Sequence, residues 1–123
     1  MKKSFLFIAF FALFSCTNEN TLHSSEKYIV ETSVKVKAGT TQNVLDLFKR
    51  TNPLLVENES DWLKASFATD EEKSLVIVRA EWKSKEAYIN FSVSDRFSQT
   101  MQDFRKYFDG RPEVHISKVL FEM

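Results

Sequence analysis

His115 is one of two histidines in the chain, and its imidazole is a candidate proton acceptor near neutral pH. A histidine on an alternating segment also serves at a rim or an interface, and the sequence leaves both roles open. Tyr28, Tyr88, Tyr107, Arg79 and Arg105 can each orient a phenolate, although no spacing singles one out. Proton transfer assisted by oriented donors is therefore the chemistry within reach of these side chains. Other classes lack their residues. Two distant histidines and one cysteine, Cys16, do not make a metal-ligand set. Gly39 and Gly110 are the only glycines, too few for a phosphate-cradling loop. Lysine plus arginine number 17 against 17 acids, scattered in sign, so no basic face invites nucleic acid. Asp70, Glu71 and Glu72 read as a solvated turn, and His23 as a solvated residue of a polar stretch.

The elements that must position these residues follow from periodicity. Tyr28, Val30, Thr32, Val34 and Val36 alternate with polar neighbours, the pattern of a strand with one buried face, ended by Ala38-Gly39. Val44, Leu47, Phe48, Thr51 and Leu55 predict a helix from about 41 to 59, in two pieces or bent because Pro53 removes a backbone bond. Residues 61–69 alternate again, with Leu63, Ala65 and Phe67 on one face and Trp62, Lys64 and Ser66 on the other. A short polar turn leads into a third strand from Ser74 to Trp82, which makes a hairpin. Ser84 is a helix N-cap with Glu86 in the first turn, and Ser94 caps a second helix carrying the stripe Phe97, Met101, Phe104 and Phe108. Gly110 and Pro112 stop it, and Glu113 to Phe121 form the last strand.

That order predicts an α+β fold, the ferredoxin-like βαββαβ plan with a four-stranded antiparallel sheet. Helices cover one face of such a sheet. The third and last strands nonetheless carry apolar residues on both sides, Val76 and Val78 against Leu75 and Ile77, and Ile116 against Val119. A sheet face open to water does not use them. A homodimer packed sheet against sheet is expected.

Residues 1–15 place two lysines before the apolar run Phe5–Phe14, the order of a secretory signal peptide and too short to span a bilayer. Leu13-Phe14-Ser15-Cys16 resembles the lipobox of bacterial lipoproteins. The resemblance implies cleavage before Cys16, lipidation of its thiol, a flexible tether over 16–27 and one folded domain over 28–123. It also implies a lipid-anchored protein of the bacterial cell envelope, at the outer membrane or the periplasm-facing membrane.

Trp82-Lys83-Ser84-Lys85-Glu86-Ala87, at the end of the third strand, matches a Trp-x-Ser-x-Glu-Ala signature. With Lys37-Ala38-Gly39, Pro53-Leu54-Leu55 and Ser94-Asp95-x-Phe97 in the same order, the chain resembles the antibiotic biosynthesis monooxygenase family of dimeric α+β barrels. The resemblance implies a pocket between sheet and helices, with Trp82 in its wall as well as closing the core. It implies oxygenase chemistry without flavin or metal, in which an electron-rich phenolic or quinol-like substrate, deprotonated in the pocket, reduces oxygen itself. A haem-degrading branch resembles the chain around WKSK. Its asparagine, tryptophan and iron-ligating histidine align with Thr32, Phe91 and Met101, which lack the amide, the indole and the imidazole. Haem degradation is therefore disfavoured and no cofactor is expected. Thr32, Trp82, Phe91 and Met101 are the candidate pocket residues, with His115 the candidate base. The expected function is a cofactor-independent monooxygenase acting on a small aromatic or quinol-like molecule. The alternative is a non-catalytic module of the envelope, either binding a hydrophobic ligand or purely structural.

Overall fold

A computed structural model describes residues 26–123. The expected signal peptide, Cys16 and nearly all of the expected tether lie outside the described residues. The elements are β1 (Tyr28–Lys35), α1 (Thr41–Val56), β2 (Trp62–Asp70), β3 (Leu75–Trp82), α2 (Lys85–Ser92), α3 (Asp95–Arg105) and β4 (Glu113–Lys118). The strands form one antiparallel sheet in the order β2-β3-β1-β4. This is the expected ferredoxin-like arrangement, with its second helical crossover divided into α2 and α3.

The division is written in two serines. Ser84 adopts an extended backbone, and its hydroxyl accepts from the Ala87 N–H at 3.0 Å. Ser94 does the same for the Phe97 N–H at 3.2 Å. Each bond satisfies a donor that a helix start leaves orphaned, and such a cap contributes about 1 kcal/mol. Glu86 and Asp95 lie in the first turns, where a negative charge meets the positive helix end.

α1 is a single helix through Pro53 and stops at Val56, three residues short of the expected end. Proline lacks only the bond to the carbonyl four residues back, that of Lys49, an exposed residue where water can replace the donor. The helix end is held from outside: the Arg96 guanidinium donates to the Leu54 carbonyl at 2.9 Å, tying α1 to the first turn of α3.

Two strand expectations are corrected. In β2 the alternation breaks at a bulge between Trp62 and Lys64, so that Trp62 pairs with Trp82 and Lys64 with Glu81. The extra residue turns Trp62 onto the helix-covered side with Ala65 and Phe67, and leaves Leu63 exposed. β4 ends at Lys118 rather than Phe121, because its partner β1 begins at Tyr28, the residue opposite Lys118. Val119 makes one more bond, to the Lys27 carbonyl, and Leu120 and Phe121 are exposed.

The core lies between the sheet and the helices: Val34, Val36, Val44, Leu47, Val76 and Phe104 are buried together. Its lower end is sealed by the segment after α3. The Lys37 N–H donates to the Tyr107 carbonyl at 2.8 Å, the Asp109 N–H donates to the Lys35 carbonyl at 2.7 Å, and Val36 and Phe108 form a bridge between them. No helix covers the opposite face of the sheet. Leu75 and Ile77 lie half-buried there, beside Glu81, whose carboxylate meets Lys27 at 3.2 Å and Lys64 at 3.5 Å.

Candidate functional site

Strand alternation decides which side chains enter the space under the helices. Val30, Thr32 and Val34 of β1 point the same way as Val76, Val78, Ala80 and Trp82 of β3, because antiparallel partners share a face. Phe48 and Leu55 of α1, Tyr88 and Phe91 of α2, and Phe97, Met101 and Phe104 of α3 close over them. They leave a cavity of about 140 Å³. An apolar cavity of roughly 150 Å³ accepts benzene, so this one has room for a single six-membered ring.

All four expected pocket residues, Thr32, Trp82, Phe91 and Met101, line this one cavity. Aromatic rings form a continuous wall on the helix side. Phe91 lies 5.2 Å from Trp82 and 5.1 Å from Phe97 between ring centroids, and Tyr88 meets Trp82 edge to face at 5.8 Å and 70°. Such tilted contacts are the favoured geometry for aromatic pairs. Trp82 is 1% exposed. Its indole N–H has no hydrogen-bond partner, and it is the single buried side-chain polar atom among the described residues in that state. A buried donor without an acceptor carries a desolvation cost of about 1–3 kcal/mol.

The lining contains no carboxylate, imidazole, ammonium or guanidinium group. Its polar atoms are the hydroxyls of Thr32, Thr51 and Tyr88, the Asn52 amide and the two indole N–H groups. Thr51 is already engaged, donating to the Leu47 carbonyl at 2.8 Å. Burial pushes the Tyr88 phenol above its ordinary pKa, which keeps it a donor at neutral pH. The cavity thus pairs an apolar lining with a few hydrogen-bonding groups and offers no general base from its walls.

His115 lies elsewhere. In β4 it alternates with Val114 and Ile116, which share the helix side with Thr32 and Val30, so its exposed imidazole faces the uncovered side of the sheet opposite Glu31. Arg79 also pairs with Glu31 and faces that side. Of the other candidates, Tyr28 and Tyr107 do not line the cavity, and Arg105 borders the groove into which the cavity leads. Trp62 was missed as a wall residue because simple alternation puts it on the wrong face. The available signal was the cost of a large aromatic at an unshielded strand end.

The groove, of about 740 Å³, shares Thr32, Tyr88, Phe97, Met101 and Phe108 with the cavity and continues along β4. Among the described residues no helix is long and apolar enough to cross a membrane.

Residues 27–103 match the sequence family named antibiotic biosynthesis monooxygenase. No curated protein sequence matches the chain. Among solved structures, one from Bordetella bronchiseptica bearing the same family name superposes with a TM-score of 0.70 at 14% identity, over 79% of this chain and 100% of that one. A Caulobacter crescentus structure of that name gives 0.68 at 15% identity, over 85% and 99%. A Streptomyces coelicolor monooxygenase in complex with nanaomycin D gives 0.69 at 16% identity, over 78% and 89%. At these identities the structures establish the fold alone, while the sequence match covers more than half of the chain. On that match, the chain belongs to the antibiotic biosynthesis monooxygenase family.

Proposed function

We propose that this protein is a cofactor-independent monooxygenase for a single-ring phenol or hydroquinone. The observation that carries the reading is the ring-sized apolar cavity lined by Trp82, a residue whose indole N–H is buried without a partner. Family membership and the fold shared with a monooxygenase that binds nanaomycin D support it. A phenol oxygen that reaches the Trp82 N–H gains a hydrogen bond that strengthens as the phenolate forms, which opposes the rise in pKa that an apolar cavity imposes. The proton leaves through the groove, since the walls hold no base. The phenolate then supplies electrons to dioxygen: one oxygen atom enters an unsubstituted ring carbon, para to the hydroxyl of a monophenol or ortho to one hydroxyl of a hydroquinone, the other leaves as water with the hydrogens lost from the ring, and the product is a quinone or a hydroxyquinone. Walls of Phe91, Phe97, Met101 and Phe104 keep water away from the reduced oxygen species.

The test is oxygen uptake with simple phenols and hydroquinones, compared between the wild-type protein and Trp82→Phe. Quinone formation above a heat-denatured control, reduced in the variant, is expected; no uptake with any ring that binds would sink the catalytic reading. The absence of a base from the cavity wall favours one second reading, a module that binds a hydrophobic aromatic without turning it over. Saturable binding with no uptake would select it.

The assembly belongs to the same proposal. The half-buried Leu75 and Ile77 on the uncovered sheet face support a homodimer packed through those faces. Native mass spectrometry should show two copies, and a monomer at micromolar concentration would refute it. The lipobox-like Leu13-Phe14-Ser15-Cys16 supports a lipid anchor in the cell envelope. Cys16→Ser should release the protein from the membrane fraction, and unchanged fractionation would remove the anchor.

A further inference from the structure

The cavity is too small for more than one ring, yet it leads into a groove about five times its size. The groove is apolar along β4, where Val114 is 46% exposed, and across it on α2, where Ile89 is 41% exposed. Its charged lining consists of two side chains of one sign, Arg105 at the end of α3 and Arg111 in the loop before β4; no acid lines it. Neither guanidinium forms an ion pair with another described residue. Elsewhere on the described surface Lys27 and Lys64 pair with Glu81, Arg96 with Glu57 and Lys118 with Glu26, while most other lysines and arginines, like these two, form no ion pair; what sets Arg105 and Arg111 apart is their place in the lining of an otherwise uncharged groove. Two unpaired arginines beside an apolar channel are complementary to an anion on an apolar stem.

We propose that the ligand is an anionic amphiphile: a phenolic ring in the cavity, a short apolar arm through the groove, and a carboxylate held by Arg105 and Arg111. The inference rests on the reading above that the cavity takes a phenolic ring, and it adds what the rest of the molecule must be. Thr32, Tyr88 and Met101 line both spaces, so they flank the arm where it leaves the cavity. The arginines select for the anion and leave the ring's own fit unchanged.

The test compares a hydroquinone bearing a propanoate arm with its methyl ester, in the purified full-length protein. Trp62 and Trp82, the only tryptophans, both line the cavity, so quenching of their emission reports ring binding. At low salt the acid should bind about tenfold more tightly than the ester, and the preference should shrink with added salt while the ester's affinity holds. Arg105→Gln with Arg111→Gln should bring the acid to the ester's affinity. Equal quenching affinities in the wild-type protein would overturn the anion clamp and leave the ring cavity standing. Quenching by neither compound would overturn both. The salt series in the wild type decides the question even if the double variant fails to fold.

Discussion

Trp62 stands opposite Trp82 in the β2–β3 ladder, and both indoles face the cavity because a bulge supplies one extra residue between Trp62 and Lys64. Their N–H groups differ in consequence. That of Trp82 is buried and without a partner, so replacing Trp82 by Phe removes an unsatisfied donor together with part of an apolar ring. The two effects oppose each other, and the change in stability should be within about 1 kcal/mol. Affinity for a phenolic ring should fall about tenfold, the worth of one hydrogen bond. Urea unfolding and ligand titration of Trp82→Phe check the two halves separately; a large stability loss with unchanged affinity would make Trp82 a packing residue alone.

Tyr88 should titrate late. Burial raises its pKa above the ordinary phenol value, so its neutral form stabilises the fold fully below about pH 10 and that contribution is lost as pH rises through the folded-state value. In an alkaline ultraviolet titration, a late phenol step above the ordinary range should appear. Tyr88→Phe should abolish the late step and shift alkaline unfolding to higher pH.

Glu81 works in the other direction. Burial opposes its charge, but hydrogen bonds and charge from Lys27, with Lys64 nearby, outweigh it and hold the carboxyl below its usual value. The resulting stabilisation is present above the ordinary carboxylate range and is lost as pH falls through the lowered folded-state value. Glu81→Gln should cost about 0.5–1 kcal/mol at neutral pH and nothing in strong acid, which thermal melts at the two pH values would show. An equal cost at both would assign the loss to packing.

The two glycines should respond differently to alanine. Gly39 has a φ of +79° with open space around an added Cβ. Its cost is therefore conformational, about 1 kcal/mol. At Gly110 an added Cβ would meet only the Lys35 Cβ, at 3.7 Å, an ordinary contact, and the urea midpoint of Gly110→Ala should stay near that of the wild type.

Much of this arrangement was legible in the sequence because it depends on local signals. Ser84 and Ser94 announce their helices by cap chemistry, and the alternation of Val30, Thr32 and Val34 fixes the face that meets the helices. Thr32, Phe91 and Met101 are far apart in sequence, and motif alignment brought them to one cavity where periodicity alone would not. What escaped depends on pairing between strands. A bulge is invisible to alternation, so Trp62 was put on the wrong face; the end of β4 is set by where β1 begins. His115 attracted a catalytic role by residue type, yet its parity in β4 places it away from the cavity. Arg111 had no motif to mark it, since its place in the same groove as Arg105 arises only when the loop after α3 folds back along β1.

α2 has 8 residues, none of them buried, with Ser84 capping its start and the Ser94 cap following closely behind. It nevertheless supplies Tyr88 and Phe91 to the cavity wall. A short helix with little core of its own is the kind of unit that opens without global unfolding. Its place over the cavity therefore rests on the two serine caps that bound it and on the ring contacts of Tyr88 and Phe91 with Trp82 and Phe97, so that one side of the binding space is held by its own lining rather than by a core beneath it.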